Sequence, residues 1–405
     1  MAEQVIKPDL DFVKGIIAGG GDTLKKCYQC ATCTVVCNVT PAENPFPRKE
    51  MLWAQWGLKE KFEGNPDVWL CHQCNDCSVY CPRGAKPGEV LGAIRKQTIK
   101  QYSAPSALVD VVNNKSLIAL IFLVPAVIVG LFISMFGNWS PEGDIIFSQF
   151  MPILPIQGLF TPALLFGVAV GALGVKKFWG DMKSANGVST GDLKGSIIAT
   201  AKQVLGHEKF KSCDVSKDRY SSHLFVFYSF VLLGIATGLG VLYIDILHLD
   251  SPFRFGYGTP VKIFGIAGAV AIIIGTLMMI NNRFKNAEKV GLGSYFDWLL
   301  IAIIGIVGLS GTLAYLTRIA GVGGIAYPVY FIHLVFVLSL FVYLPFSKLA
   351  HMFYRGAAMC FMKYSGREEE EEAVQAAPQE TAPAPEADAG PDESAPEQTE
   401  GGKES

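Results

Sequence analysis

The stretch Cys27-Tyr-Gln-Cys-Ala-Thr-Cys-Thr-Val-Val-Cys37 decides the fold of the N-terminal part of this 405-residue chain. Its spacing is C-x2-C-x2-C-x3-C, and the same spacing returns at residues 71–81, where Pro82 follows the last cysteine. Three thiolates spaced in this way can hold three corners of a cubane, while the fourth cysteine of each run serves the other cubane. The repeat therefore predicts two [4Fe-4S] clusters.

Crossed ligation divides the eight cysteines of these two runs into two sets. Cluster 1 takes Cys27, Cys30, Cys33 and Cys81, and cluster 2 takes Cys71, Cys74, Cys77 and Cys37. The alternative is a pair of structural zinc sites, but those usually use paired C-x2-C units rather than triplets. The two remaining cysteines, Cys213 and Cys360, stand alone in the sequence and are predicted to be unligated thiols.

Composition places the rest of the chain in a lipid bilayer. Half of the residues are hydrophobic and only 17% are charged, which is apolar for a soluble protein. A bilayer core of about 30 Å takes roughly 20 apolar residues. Six such runs are predicted at residues 116–136, 155–175, 222–247, 260–280, 295–317 and 327–349. With a formal net charge of −2 and no basic patch, nucleic acid is not an expected partner.

Loop charge predicts the orientation in the membrane. Residues 176–221 and 281–294 are rich in Lys and Arg, whereas the loops at the other side contain only Arg254 and Arg318. The positive-inside rule then places both termini in the cytoplasm, in a multi-pass protein of the cytoplasmic membrane. The start of the chain has no secretory signal. The segment 191–212 is a candidate amphipathic helix on the inner surface of the membrane. Two histidines outside the apolar runs, His72 and His207, are predicted to be surface residues.

Two histidines of the last apolar run have a spacing that suits two stacked b haems. His333 and His351 are 18 residues apart, which in one continuous helix is about five turns and roughly 27 Å. His223 begins the third run and is predicted to share haem 1 with His351. His248 ends that run and is the candidate partner of His333 in haem 2. For each histidine the alternative is an ordinary structural role.

These observations predict an all-α fold in three parts. Residues 1–105 form a cytoplasmic helical ferredoxin domain with two clusters, and residues 106–365 form a six-helix membrane cytochrome b domain. Residues 366–405 are rich in acidic residues, Pro, Ala and Gly, and are predicted to be disordered.

Two segments resemble known families. Residues 20–100, with VWLCHQCNDCSVYCP, resemble the helical ferredoxin module of heterodisulfide reductase C subunits. The segment HLVFVLSLFVYLPFSKLAH at 333–351 is similar to the last helix of the cytochrome b subunit of respiratory nitrate reductase. Their combination resembles the C subunits of quinone-interacting membrane-bound oxidoreductase (Qmo) complexes. That resemblance implies menaquinol oxidation, flavoprotein A and B subunits as partners, and adenylylsulfate reductase as the final acceptor in sulfate respiration.

A quinone site is then expected near the outer surface, because a quinol needs an apolar slot beside a proton acceptor. The candidates are Asp245, Arg254, Tyr257, Lys262 and Arg318, for which interfacial anchoring is the alternative. No glycine-rich nucleotide motif follows a predicted strand, so flavin is expected in a partner and no soluble-substrate activity in this protein alone. Two other functions stay open: a membrane subunit of another heterodisulfide-reductase-like or sulfite-reduction complex, and a zinc-binding membrane scaffold.

Overall fold

The computed structural model describes residues 7–42, 44–188, 191–207, 210, 212–213, 218–248 and 259–367. These residues form helices and turns and contain no β-strand, so the all-α prediction is confirmed. Arg254 and Tyr257, and nearly all of the predicted disordered tail, lie outside the described residues.

The N-terminal part consists of short helices around the two cysteine runs. The helices are α1 (Leu10–Ala18), α2 (Thr32–Val35), α3 (Arg48–Gln55), α4 (Asp67–Leu70), α5 (Asp76–Val79), α6 (Pro87–Tyr102) and α7 (Ala107–Asn113). The carboxylate of Asp9 accepts a hydrogen bond from the Phe12 amide at 2.8 Å and caps α1. Pro87 begins α6, where its missing N–H has no helical partner to lose. The buried side chains of Phe12 and Ile16 join the core of this domain, in which α1 packs on α6.

The membrane part contains longer helices. They are α8 (Ile118–Phe136), α9 (Phe147–Phe150), α10 (Ile153–Asn186), α11 (Leu193–Gly206), α12 (Arg219–Val241), α13 (Pro260–Lys285), α14 (Ala287–Val290), α15 (Tyr295–Ile319), α16 (Gly323–Tyr343) and α17 (His351–Tyr364). Within the described residues, six of the helical segments are long and apolar enough to cross a membrane. Each contains most of one predicted run, which confirms the prediction of six membrane-compatible helices.

The second predicted membrane run is much longer in the structure. Where the sequence predicts an end near residue 175, α10 continues to Asn186 and stops at Gly187, which adopts a left-handed conformation at φ 64°. The predicted amphipathic segment forms α11, whose first turn is capped by Asp192. Contact of its exposed Leu and Ile side chains with a bilayer stays a prediction.

The prediction that one continuous helix carries both His333 and His351 is wrong. Helix α16 ends at Tyr343, and α17 begins at His351 after two short 3-10 turns. Pro345 lies in this break, and proline lacks the N–H that a continuing helix needs. The hydroxyl of Ser347 accepts a hydrogen bond from the Leu349 amide and starts the second turn. The angle between the two imidazoles therefore does not follow from their separation in sequence.

The cluster domain packs directly on the membrane helices. Trp69 stacks on Tyr354 of α17 with ring centroids 5.2 Å apart, and Tyr102 donates a hydrogen bond to Asp181 of α10 at 2.8 Å. Trp69, Tyr102 and Tyr354 belong to one hydrophobic cluster that also includes membrane helices. The two sides of the predicted boundary at residue 105 thus share a core, and the boundary itself stays a prediction.

Candidate redox centres

The two cysteine runs adopt the same unusual backbone. Gln29 and Ala31 have φ angles of 62° and 69°, and the equivalent residues of the second run, Gln73 and Asn75, have 52° and 69°. Non-glycine residues rarely adopt positive φ, and each such residue adds strain of roughly 1–3 kcal/mol. Four of them at matching positions show that the chain turns twice in the same way to bring its thiols to one side.

Amide groups in both turns point at cysteine sulfur. The backbone N–H of Gln29 lies 3.4 Å from Sγ of Cys27, and the backbone N–H of Gln73 lies 3.3 Å from Sγ of Cys71. Such contacts stabilise negative charge on sulfur, as a cluster-bound thiolate carries. Both turns therefore fit a [4Fe-4S] cluster by donor type and by hydrogen bonding.

The first candidate cluster site contains thiols from both runs. Burial raises the pKa of Cys33 to about 11, and the charge of the nearby Cys27 thiolate raises it further. Burial also raises the pKa of Cys27, with an added contribution from Cys81 of the second run. These thiols interact across 48 or more residues of sequence, which agrees with the crossed ligation expected for cluster 1.

The second candidate site mirrors the first. Burial raises the pKa of Cys37 to about 12, and the charges of Cys71 and Cys74 raise it further. Burial likewise raises the pKa of Cys77 well above the ordinary thiol value. Since iron binds thiolates, cluster assembly must displace these protons. The two ligand sets stay a prediction, supported by these neighbours.

A cavity of about 660 Å³ lies between the cluster domain and the membrane helices. On one side it is lined by His72, Gln73 and Cys74 of the second cysteine turn, and deeper in the membrane part by His223 and His351. The rest of the lining is largely apolar and includes Phe227, Phe230, Leu300 and Ile304. A largely apolar cavity with a few convergent polar groups is typical of a cofactor site.

His223 and His351 face each other as two ligands of one metal would. Their ring centroids are 6.3 Å apart, and two imidazoles bound to one metal by bonds of about 2.0 Å have centroids about 6 Å apart. Nδ1 of His351 lies 2.7 Å from the Lys348 carbonyl, and Nδ1 of His223 lies 3.0 Å from Nε2 of His207. No hydrogen bond is described for Nε2 of either ring, so this atom is available as a ligand in both histidines. The pair therefore fits a bis-histidine haem, and its binding stays a prediction.

The predictions that His207 and His72 are surface residues are wrong. His207 is 6% exposed and His72 is 7% exposed. His207 follows α11 in a left-handed conformation that turns its ring toward His223, and Nε2 of His72 lies 2.8 Å from the Arg355 guanidinium. Neither role has a local sequence signal, because each partner is supplied by a distant part of the chain.

Partly buried cations lie around the second cysteine turn. The Arg95 and Arg355 guanidinium groups donate hydrogen bonds to the Cys71 carbonyl, and Arg219 donates to the Gln73 carbonyl. Burial lowers the pKa of Arg355 to about 10, so this guanidinium stays charged at neutral pH. Lys348 pairs with Asp297 at the same cavity. Positive charge at this place suits haem carboxylates and the negative charge of a reduced cluster.

The second predicted haem pair is not brought together by any described contact. Nδ1 of His333 lies 3.2 Å from the Ser310 hydroxyl, and its ring sits against Gly311 of α15, where a Cβ would lie 2.9 Å from the ring. His248 is exposed beyond the end of α12. Haem 2 stays a prediction.

Three of the quinone-site candidates, Asp245, Lys262 and Arg318, are among the described residues. Asp245 accepts hydrogen bonds from Gln157 at 2.8 and 3.0 Å, and the Arg318 guanidinium lies 5.8 Å from the Phe147 ring centroid. Lys262 lies near the start of α13. No described contact joins these three candidates into one site, and their role stays a prediction.

Comparison with known proteins divides the chain near the predicted boundary. Residues 23–85 match the 4Fe-4S dicluster domain family, and residues 105–375, more than half of the chain, match the citrate utilization protein B family. The chain belongs to the citrate utilization protein B family. Within that family, the protein from Escherichia coli is 24% identical over 358 residues, which are 83% of this chain and 89% of that protein.

The cluster domain of this citrate utilization protein B family member has other relatives. The C subunit of the H(2):CoB-CoM heterodisulfide,ferredoxin reductase of Methanothermobacter marburgensis is 34% identical over 100 residues, 24% of this chain and 54% of that protein. A protein of Archaeoglobus profundus that is named for its likeness to the heterodisulfide reductase C subunit is 29% identical over 92 residues, 22% of this chain and 49% of that protein. The chain spans about half the length of these two relatives. No solved structure matches.

Together these findings assign a general class. The N-terminal region resembles the 4Fe-4S domain of the heterodisulfide reductase C subunit, and the remainder supplies helices suited to a membrane. The chain is an iron–sulfur membrane subunit of the electron-transfer class.

Proposed function

We propose that this chain passes electrons between a membrane quinol and a cytoplasmic flavoprotein through b haem and two [4Fe-4S] clusters. The observation that carries the proposal is the shared cavity, in which the second cysteine turn and the facing pair of His223 and His351 line one space. A haem-sized site thus adjoins a cluster site with no intervening layer of protein. When bound, these cofactors supply one-electron transfer, which links a two-electron quinol to a two-electron flavin.

The residues of the chain prepare this site for its cofactors. The Lys348 carbonyl and His207 orient the two imidazoles through their Nδ1 atoms, and such outer contacts fix the tautomer and the basicity of a metal ligand. Arg355 holds the Cys71 carbonyl and reaches His72, so it connects α17 with the second cysteine turn. Apolar side chains such as Phe227 limit access of water to the cavity.

The specific proposal is a C subunit of a Qmo complex. Menaquinol is then the donor, at a site for which Asp245, Lys262 and Arg318 stay candidates. Flavoprotein A and B subunits receive the electrons and deliver them to adenylylsulfate reductase. The likeness of the cluster domain to the heterodisulfide reductase C subunit supports a partner of this kind. The cluster domain and both termini are proposed to lie in the cytoplasm.

A second candidate follows from the family match over residues 105–375. The Escherichia coli relative is named for citrate utilization, so the soluble partner is alternatively a flavoprotein that acts on a carboxylic acid. Electrons then flow from that partner into the quinone pool, through the same cofactors in the opposite direction. A third candidate is a membrane subunit of another heterodisulfide-reductase-like or sulfite-reduction complex, which again differs in its soluble partner. The proteins that copurify with the chain distinguish these candidates.

The test is a cofactor analysis of the full-length chain purified in detergent. We expect roughly ten iron atoms per chain, b-type absorption bands after reduction, and reduction of those bands by a menaquinol analogue. His351→Ala should abolish the haem 1 spectrum, and His248→Ala should abolish haem 2 alone. A colourless protein that contains zinc would favour the scaffold alternative and overturn the proposal.

A further inference from the structure

The connection between α11 and α12, in which residues 210, 212 and 213 are described by the structure, contacts the cluster 2 site. Phe210 places its ring edge-on to His72 with centroids 4.8 Å apart. Asn38, the residue after Cys37, donates a hydrogen bond to the Ser212 carbonyl at 3.0 Å. This connection is therefore attached to the cluster 2 site from two directions, through the residues beside two predicted ligands.

Cys213, the residue after Ser212, brings a ninth thiol to the cluster sites. It is 3% exposed, and its Sγ lies within 4.8 Å of both Sγ of Cys74 and a carboxylate oxygen of Asp76. This proximity agrees with the raised pKa of the Cys74 thiol, for which a hydrogen bond with Cys213 and burial are the main causes. The sequence predicts an isolated thiol here, because Cys74 and Cys213 are 139 positions apart in the chain.

The role of this thiol depends on how many sulfur ligands the cluster needs. A cubane has four iron corners, and the second site already has four predicted thiols within one domain. A fifth sulfur is therefore not needed as a ligand of this cluster. A protonated thiol is neutral and donates a weak hydrogen bond.

We propose, on the basis of the two clusters of the proposed function, that Cys213 donates an S–H hydrogen bond to the Cys74 sulfur and thereby raises the reduction potential of cluster 2. Hydrogen bonds to ligand sulfur stabilise the more negative, reduced form of a cluster. The membrane domain thus tunes the cluster that lies nearest to the cavity. No additional thiol is described beside cluster 1, where the Thr32 hydroxyl lies 3.4 Å from Sγ of Cys30.

The test compares Cys213→Ala with Cys213→Ser in the full-length protein. Redox titration followed by electron paramagnetic resonance should show cluster 2 of the alanine variant shifted to lower potential, with cluster 1 and the iron content unchanged. The serine variant retains a hydroxyl donor and should keep a potential at or above that of the wild type. Cys360→Ala is the matched control, because that buried thiol contacts Thr200 rather than a cysteine turn.

Three outcomes separate the alternatives. An unchanged midpoint potential in Cys213→Ala would overturn the hydrogen-bond role. Loss of the cluster 2 signal together with about half of the cluster iron in both variants would instead make Cys213 a ligand. Absence of any cluster signal from the wild-type protein would contradict the proposed function itself, before the variants are compared.

Discussion

At the scale of single residues, Glu50 is an acidic group in an apolar place. It is fully buried on α3 beside Met51. The nearest ammonium group, on Lys49, lies 3.7 Å from a Glu50 oxygen but only 2.5 Å from Asp67. Burial raises the pKa of Glu50 to about 8, against an ordinary value of 4.5. The carboxyl group is therefore protonated in the folded protein at neutral pH.

The stability of the cluster domain should fall as pH rises through this window. The unfolded chain loses the Glu50 proton near pH 4.5, whereas the folded chain keeps it until about pH 8. Between these values ionisation lowers the free energy of the unfolded state alone, so the free energy of unfolding decreases. The loss should reach up to about 5 kcal/mol and level off above the folded pKa. Urea unfolding at several pH values, followed by tryptophan fluorescence, measures it. Glu50→Gln should flatten the profile, and an equally steep profile in that variant would contradict the assignment to Glu50.

Single-residue patterns also show what a sequence can predict. The cysteine spacing predicts turns that collect thiols, and the structure has two matching turns at Gln29 and Gln73. The sequence does not predict the contacts of Cys213 and His207, because their partners are distant in the chain. When a histidine or cysteine has no neighbouring motif, the sequence does not distinguish a side chain buried beside a ligand from an exposed one.

At the scale of helices, α12 and α13 pack closely at a glycine. A Cβ at Gly275 would lie 2.8 Å from Cγ2 of Val226 and 2.9 Å from its backbone nitrogen. Small residues let neighbouring membrane helices approach each other, and much of their association energy is van der Waals packing. The backbone contact cannot be relieved by a change of rotamer.

Gly275→Ala should therefore separate the two helices and destabilise the protein by about 1–3 kcal/mol. Gly238→Ala in α12 is the matched control, since a Cβ there meets no atom within 4 Å. That change should be neutral or slightly stabilising, because alanine is the better helix former. Thermal midpoints of the detergent-solubilised variants measure both effects. Equal midpoints for the two variants would show that the close approach has no energetic importance.

Apolar runs predict the existence of the membrane helices better than their ends. A run of about 20 apolar residues is sufficient to specify a span, but the break before His351 depends on Pro345 and on the turn that Ser347 caps. A proline in the sequence predicts that the helix is kinked or broken, but it does not predict which of the two occurs. The geometry of the candidate haem ligands depends on this choice, so their arrangement needed the structure.

At the scale of the whole molecule, Trp69 joins the two domains. Its side chain is 1% exposed, stacks on Tyr354, and has the Arg95 guanidinium 5.7 Å from its ring centroid. Trp69→Ala should leave a large void and cost about 3–5 kcal/mol. We expect faster hydrogen exchange in α4 and α17. Trp56→Ala is the matched control, because Trp56 is 54% exposed, and it should change exchange little. Unaltered exchange in Trp69→Ala would mean that the ring is not needed for docking.

The length of α10 has a mechanical consequence. Its 34 residues span about 51 Å, roughly 20 Å more than a bilayer core. The last turns engage the cluster domain, where Asp181 meets Tyr102 and the Asn186 amide approaches the Gly64 carbonyl. A continuous helix of this length fixes the distance between the cluster domain and the membrane part, and it restricts movement of the cluster domain relative to the membrane helices. Under the proposed function, soluble partners dock on this fixed surface, so the fit of a partner to that surface, and not the reach of a flexible segment, selects the proteins that exchange electrons with the chain.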